Sequence, residues 1–356
     1  MDRIGCKTDH IDCDLETFRN ASNQIVCAQL HLPKESPYGS KPPAKAYVHG
    51  MGGCMDSIAT VRSMQNVLNQ GYAVWRYDAT PVRITDSSPF GFKADTRKFS
   101  PTTCVQTLHY SLQTLEERHS NEIDMSRLAL HGSSFGALGA CWYAAHNNDK
   151  FQRRLLPENE KAYPIMGLIT QSPVIDPLGT APRWLIANSV FNRFWKKCGS
   201  LPRVIVGEIC WLSHGIWRDC HDMDFLEDIA PYIQQPIRVD FGKVDPLVNP
   251  EMIDRFKDVM PQAEIHAYEG SGHALEIVQN LDSLKEKEIR PFLKGGRKWL
   301  RRRSERQIVY MLKNFERATH GPKAIEGGCG FLQKLMQPAL NTSANSGHPE
   351  PILVVA

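Results

Sequence analysis

Residues Leu128 to Ala140 leave this chain few folds to choose from. Leu128-Ala129-Leu130-His131 has the apolar continuity of a buried strand, Gly132-Ser133-Ser134-Phe135-Gly136 is a tight turn, and Ala137-Leu138-Gly139-Ala140 opens a helix of small residues. A strand that turns so abruptly into a helix lays that helix back over its own sheet, and small side chains let the two approach closely. The Gly-x-Ser-x-Gly pattern adds chemistry to geometry. A serine forced into such a turn exposes its hydroxyl, and glycines on either side relieve the crowding of neighbouring backbone.

The rest of the chain, up to about residue 283, repeats the theme of short β-rich runs alternating with helical patterns, which marks a mostly parallel sheet flanked by helices. Strands are expected over Gln24 to Leu32, Ala44 to His49, Tyr72 to Tyr77, Arg127 to His131, Ile165 to Thr170, Ile237 to Phe241 and Ala263 to Tyr268. Helices are expected over about Ser57 to Gln70, Thr102 to His119, Ser134 to Asn147 and Pro250 to Val259. In the second of these, Val105, Leu108, Leu112 and Leu115 form one apolar stripe. The chain therefore divides into a lead-in (1–21), an α/β domain (22–283) interrupted by a cap insertion at about 174–227, a basic helical extension (284–320) and a flexible tail (321–356) rich in Gly, Pro, Ser and Asn.

Charge is distributed unevenly. The 356 residues carry 42 Lys or Arg and 39 Asp or Glu, a net charge of +3. Residues 284–320 alone hold 12 basic and 4 acidic residues, +8, so the remainder is −5. No run of about 18 uncharged apolar residues occurs, and Met1 to His10 lacks the apolar middle of a secretory signal, so a cytoplasmic location is expected. The ten cysteines are scattered, without C-x-x-C pairs or zinc-type spacing, and read as reduced, mostly buried thiols. Neither a metal nor a cofactor is expected.

A serine nucleophile needs a base, and the base needs an orienting carboxylate. Ser134 is the nucleophile of choice, with Ser133 as the competing hydroxyl. The strand Ile237 to Phe241 runs into a turn that presents Asp245, and the strand Ala263 to Tyr268 runs into Gly270-Ser271-Gly272-His273. The 28 residues from Asp245 to His273 (273 − 245) accommodate one helix and one strand, which brings both loops to the same edge of a parallel sheet. Asp240 and Asp176 are the alternative acids, and His266, mid-strand, reads as packing. Two N–H groups suit a developing oxyanion: that of Phe135, after the nucleophile, and that of Met51, in the turn Gly50-Met51-Gly52-Gly53.

In this order the His49-Gly50 turn, the Gly132-Ser133-Ser134-Phe135-Gly136 elbow, Gly242-x-x-Asp245 and Gly270-Ser271-Gly272-His273 resemble the α/β-hydrolase superfamily over roughly residues 22–283. The resemblance implies acyl transfer through a serine ester, with Ser134 attacking, His273 shuttling the proton and Asp245 holding the imidazolium. Three features are similar to the acyl-transferase/thioesterase branch of luminous bacteria: Val74-Trp75-Arg76-Tyr77-Asp78, the Ser133-Ser134 pair, and Trp217 to Phe225. That likeness implies a long-chain acyl group delivered on a carrier protein. A peptidase of the same superfamily and a non-catalytic binding protein on the same fold are the competing readings.

The insertion holds Trp184, Trp195, Trp211 and Trp217, four of the seven tryptophans. They suit either the lining of an acyl pocket or the small core of a cap. In the basic extension, Ile308, Met311, Leu312 and Phe315 make an apolar stripe beside Arg301-Arg302-Arg303 and Arg306. This pattern fits a peripheral contact with an anionic membrane surface or an acidic carrier protein, or a helix packed on the acidic body. No nucleic-acid-binding motif accompanies the charge.

Overall fold

The computed structural model describes residues 16–51, 64, 66–79, 82–84, 92–94, 99–157, 160–175, 189–205, 208–243, 245, 248, 250–269, 271, 273 and 321–344. Its strands are β1 (Glu16–Arg19), β2 (Ile25–His31), β3 (Pro43–Val48), β4 (Ala73–Tyr77), β5 (Val82–Ile84), β6 (Phe92–Ala94), β7 (Asp124–Ser133), β8 (Gly167–Gln171), β9 (Ser200–Ile205), β10 (Glu208–Ser213), β11 (Ile237–Gly242) and β12 (Glu264–Tyr268). Its helices are α1 (Pro101–His119), α2 (Phe135–Ala145), α3 (Ser189–Cys198), α4 (His214–Cys220), α5 (Phe225–Asp228), α6 (Pro250–Val259) and α7 (Gly321–Ala344).

Eight strands form one sheet in the order β1-β2-β4-β3-β7-β8-β11-β12. The pairs from β4 through β12 are parallel, and β1 and β2 add antiparallel at one edge. Residues of β3, β4, β8 and β11 are buried throughout, as strands covered on both faces must be. The local signals explain the elements. Ser100 caps α1 through a capping box with Thr103, Pro101 starts it, and Arg118 and His119 sit at its negative end. Gly71, at φ +85°, ends the helical turn at 66–69 and feeds β4, a backbone angle that favours glycine.

The two faces of the sheet differ. One carries Ala44, Ala46, Val48, Leu128, Leu130, Leu168 and Val239 and packs with α1 and α2 in the main core. There Gly139 of α2 lies where a Cβ would run into the Cys104 sulfur of α1, so glycine sets how closely these helices pack. The other face carries Val74, Ala129 and Ile169, which pack with Cys329, Phe331, Leu332 and Met336 of α7. By the two-residue period of a strand, Lys45, Tyr47 and His131, all buried, share this second face, as do Arg238 and Asp240.

One sequence expectation needs correction. Residues Gly321–Ala344 are helical rather than a flexible tail. Gly327, Gly328 and Gly330 lower intrinsic helix propensity, but packing overrides it: a Cβ at Gly327 would strike the Arg238 guanidinium. The lead-in contributes β1, whose Glu16 pairs with Ala28 of β2. Within the insertion, β9 and β10 form an antiparallel hairpin of their own. The basic extension 284–320, most of the expected helix Ser57 to Gln70, and residues 345–356 lie outside the described residues. Among the described residues Cys104, Cys141, Cys198 and Cys329 are free thiols.

Candidate active site

Ser134 stands between β7 and α2 with φ 56° and ψ −124°, a conformation costly for any side-chain-bearing residue. The surroundings enforce it. A Cβ on Gly132 would overlap the backbone of Gly136 and Ala137, and one on Gly136 would overlap the carbonyls of Val48 and His49. Hydrogen bonds hold the turn as well: the Ser134 N–H donates to the Gln171 carbonyl at 2.8 Å, and the Ser134 carbonyl accepts from Ala137 N–H at 3.0 Å. The elbow is therefore built from backbone, between β3 on one side and β8 on the other.

His273 and Asp245 arrive from the loops that follow β12 and β11. His273 Nε2 lies 2.8 Å from Ser134 Oγ, and His273 Nδ1 lies 2.7 Å from Asp245 Oδ2. Asp245 is fully enclosed at its side chain and His273 is 11% exposed. A carboxylate only accepts, so Nδ1 carries the proton and Nε2 is left to accept from the serine hydroxyl. This is the arrangement by which a histidine takes a proton from a serine.

The turn after β3 lies against the nucleophile, since a Cβ on Gly50 would come within 2.9 Å of the Ser134 Cβ. His49 fixes this turn from below. Its Nδ1 lies 2.8 Å from the Gly50 carbonyl oxygen, and its Nε2 accepts the Ala79 N–H at 2.8 Å. Burial pushes the His49 imidazole down to about 4, so at neutral pH it is uncharged with the proton on Nδ1. In a trans peptide the N–H of Met51 points opposite to the Gly50 carbonyl, so gripping that oxygen also aims the N–H. Met51 itself packs half-buried against the core. Phe135 is the first residue of α2, where a backbone N–H has no partner within the helix and lies at the positive end of its dipole.

The alternative acid Asp240 is bound elsewhere. Arg238 grips it through Nε and Nη2 at 2.8 Å each, and the Tyr268 hydroxyl donates to it at 2.7 Å. Burial pushes this carboxyl up, and those bonds oppose the shift. His266 contacts Arg238 and Glu264. Asp176 lies outside the described residues.

Of the four tryptophans, Trp195 is buried and Trp217 is half-buried against the core. A ladder of rings joins them: Trp195 to His214 at 5.8 Å, His214 to Trp217 at 5.2 Å, and Trp217 to His221 at 4.1 Å. Trp184 and the side chain of Trp211 lie outside the described residues. Helix α4, which carries Trp217, is fixed to the body. Asp219 accepts the Thr102 N–H at the start of α1 at 2.9 Å, and Gly215 lies against Ser100. The hydrogen bonds of His49, and the grip of Tyr268 and Arg238 on Asp240, were not read from the sequence. The spacing of two between Arg238 and Asp240, which puts both on one strand face, was the available signal.

No family model matches the sequence, and no curated protein sequence matches it. Solved structures do. The α/β-hydrolase GrgF from Penicillium sp. sh18 aligns at a TM-score of 0.54 and 14% identity, over 79% of this chain and 98% of its own. DcsB, in complex with its substrate analogue, aligns at 0.54 and 13% over 86% and 100%. A putative hydrolase from Agrobacterium vitis S4 aligns at 0.51 and 13% over 80% and 99%. The chain has the α/β-hydrolase fold. Among the described residues no helix is long and apolar enough to cross a membrane.

Proposed function

We propose that this protein is a serine hydrolase that cleaves ester or thioester bonds through an acyl-enzyme. The observation that carries the reading is the continuous relay from Ser134 Oγ through His273 to Asp245, at 2.8 and 2.7 Å. Ser134 Oγ attacks the carbonyl carbon while its proton passes to His273 Nε2, and the Asp245 carboxylate stabilises the resulting imidazolium. The N–H groups of Phe135 and Met51 receive the oxyanion. The intermediate collapses, the leaving alcohol or thiol takes the proton from His273, and water activated by the same imidazole releases the acid.

The finer reading takes the acyl group as a long chain delivered on a carrier protein, with Trp195 and Trp217 on the acyl side and the basic segment 284–320 meeting the acidic carrier or an anionic membrane surface. The similarity of Val74 to Asp78 and Trp217 to Phe225 to the thioesterases of luminous bacteria supports it. Covalent labelling by a fluorophosphonate, with turnover of p-nitrophenyl esters of graded chain length, tests both levels. Ser134→Ala is expected to abolish labelling and lower kcat by about 10⁴-fold or more with the fold kept. Unchanged turnover in that variant would remove the mechanism, and a preference for amino-acid anilides would replace the substrate class.

A further inference from the structure

Tyr268 ends β12, and its two polar groups connect parts of the chain that the relay depends on. Its hydroxyl donates to Asp240 Oδ1 at 2.7 Å, and Asp240 is fully buried and held from the other side by Arg238. Arg238 is itself enclosed by α7, whose Gly327 backbone occupies the space above the guanidinium. The carbonyl of Tyr268 accepts two N–H groups, that of Lys243 at 3.0 Å and that of Ser271 at 3.4 Å. Lys243 lies two residues before Asp245, and Ser271 two residues before His273. One peptide group is thus the common anchor of the acid loop and the base loop.

We infer that Tyr268 is a positioning residue, whose hydroxyl bond to the buried Asp240 fixes the distance and angle between Asp245 and His273. This rests on the reading of Ser134, His273 and Asp245 as the catalytic relay. The ladder pairs Tyr268 with Gly242 of β11, and the hydroxyl, which also lies 3.4 Å from Arg238 Nη2, adds a side-chain tie from this last β12 residue to the buried Arg238–Asp240 pair. The Tyr268 carbonyl passes that position to both loops within two residues of the reacting side chains. A misplacement of about 1 Å in a proton relay costs up to about 100-fold in rate. The C-terminal helix enters the same chain of contacts through Gly327 and Arg238.

Tyr268→Phe tests this, because it removes the hydroxyl and keeps the ring. Hydrolysis of p-nitrophenyl acetate should show kcat per fluorophosphonate-titrated site reduced about tenfold with KM within about twofold of wild type, since binding is untouched and proton transfer is not. Counting titrated sites removes any loss due to misfolded protein. An unchanged kcat per titrated site would overturn the inference, as would a change confined to KM. Should Tyr268→Phe be insoluble, Asp240→Asn carries the same comparison, with a kcat loss expected and an unchanged kcat refuting. Ser134→Ala run in parallel separates the two levels: an active Ser134→Ala removes the relay and this inference with it, whereas an inactive Ser134→Ala beside a fully active Tyr268→Phe removes the inference alone.

Discussion

The two halves of the candidate site are held by different physics. The nucleophile half is fixed by exclusion: Ser134 keeps its φ of 56° because Gly132, Gly136 and Gly50 occupy places where a Cβ has no room. The acid and base half is fixed by attraction, through Asp245 to His273, Tyr268 to Asp240, and the shared Tyr268 carbonyl. Steric exclusion is all-or-none and tolerates no added methyl, whereas a hydrogen-bonded loop weakens by degrees as individual bonds are removed. Perturbing the first half should therefore abolish structure and activity together, and perturbing the second should reduce rate while leaving structure.

The largest effect separates these cleanly. Asp245→Asn keeps shape and loses the charge that orients His273, so kcat for an ester should fall by about 10³- to 10⁴-fold with a melting temperature near that of wild type. Gly136→Ala makes the opposite test on the nucleophile side. The added methyl overlaps the Val48 and His49 carbonyls, both backbone and unable to yield separately, so a destabilisation of about 3 kcal/mol or more is expected, read as a lowered urea midpoint, with activity lost in step with folded protein. A folded, inactive Gly136→Ala or an unfolded Asp245→Asn would dissolve the distinction. His49→Ala is intermediate. It releases the Gly50 carbonyl and so the aim of the Met51 N–H, and kcat should fall about 10- to 100-fold, less than for outright removal of an oxyanion donor. Pre-steady-state acylation of Ser134 is the measurement, and a full-rate acylation step in that variant would show that the turn holds itself.

The same contrast explains what was legible in the sequence. Exclusion is written in residue type: glycine two before and two after a serine, between an apolar strand and a small-residue helix, is visible without any pairing information. Asp245 and His273 were legible because each follows a strand with a clear apolar core, at a spacing that fits one helix and one strand. Tyr268 and Asp240 were not, because their contact depends on β11 and β12 pairing in the register that sets Asp240 opposite His266. His49 appeared only as the end of a strand, since its two backbone partners, Gly50 and Ala79, come from separate segments. α7 was missed for a third reason: its glycines argue locally against a helix, and only the seat of Gly327 over Arg238 gives one of them a use. The edge strand β1 is four residues long, too short for its period to stand out.

Acid should act on the two halves differently. His49, under the turn beside the nucleophile, is held down to about 4 by burial, and His146, at the end of α2, likewise to about 4. His31, on β2, is lowered to about 3 by burial and by the Arg76 guanidinium, which donates to its Nε2 at 2.8 Å. All three start from 6.5 in the unfolded chain, so between pH 6.5 and pH 4 the unfolded chain binds protons that the folded one refuses. Stability is then complete above pH 6.5 and declines as pH falls, by about 2 kcal/mol for each of these residues at pH 5, at about 1.4 kcal/mol per pH unit. Together that approaches the whole stability of an ordinary domain, so urea midpoints should drop steeply from pH 7 to pH 5. His146→Gln should flatten that slope without altering kcat at pH 7, because its imidazole bonds backbone groups of Trp142 and Leu155, away from the relay. His49→Ala should flatten it and also lower kcat, since there the acid-sensitive group and the aim of the oxyanion turn are the same side chain. Equal slopes in wild type and both variants would place the acid sensitivity in other buried groups, His31 among them.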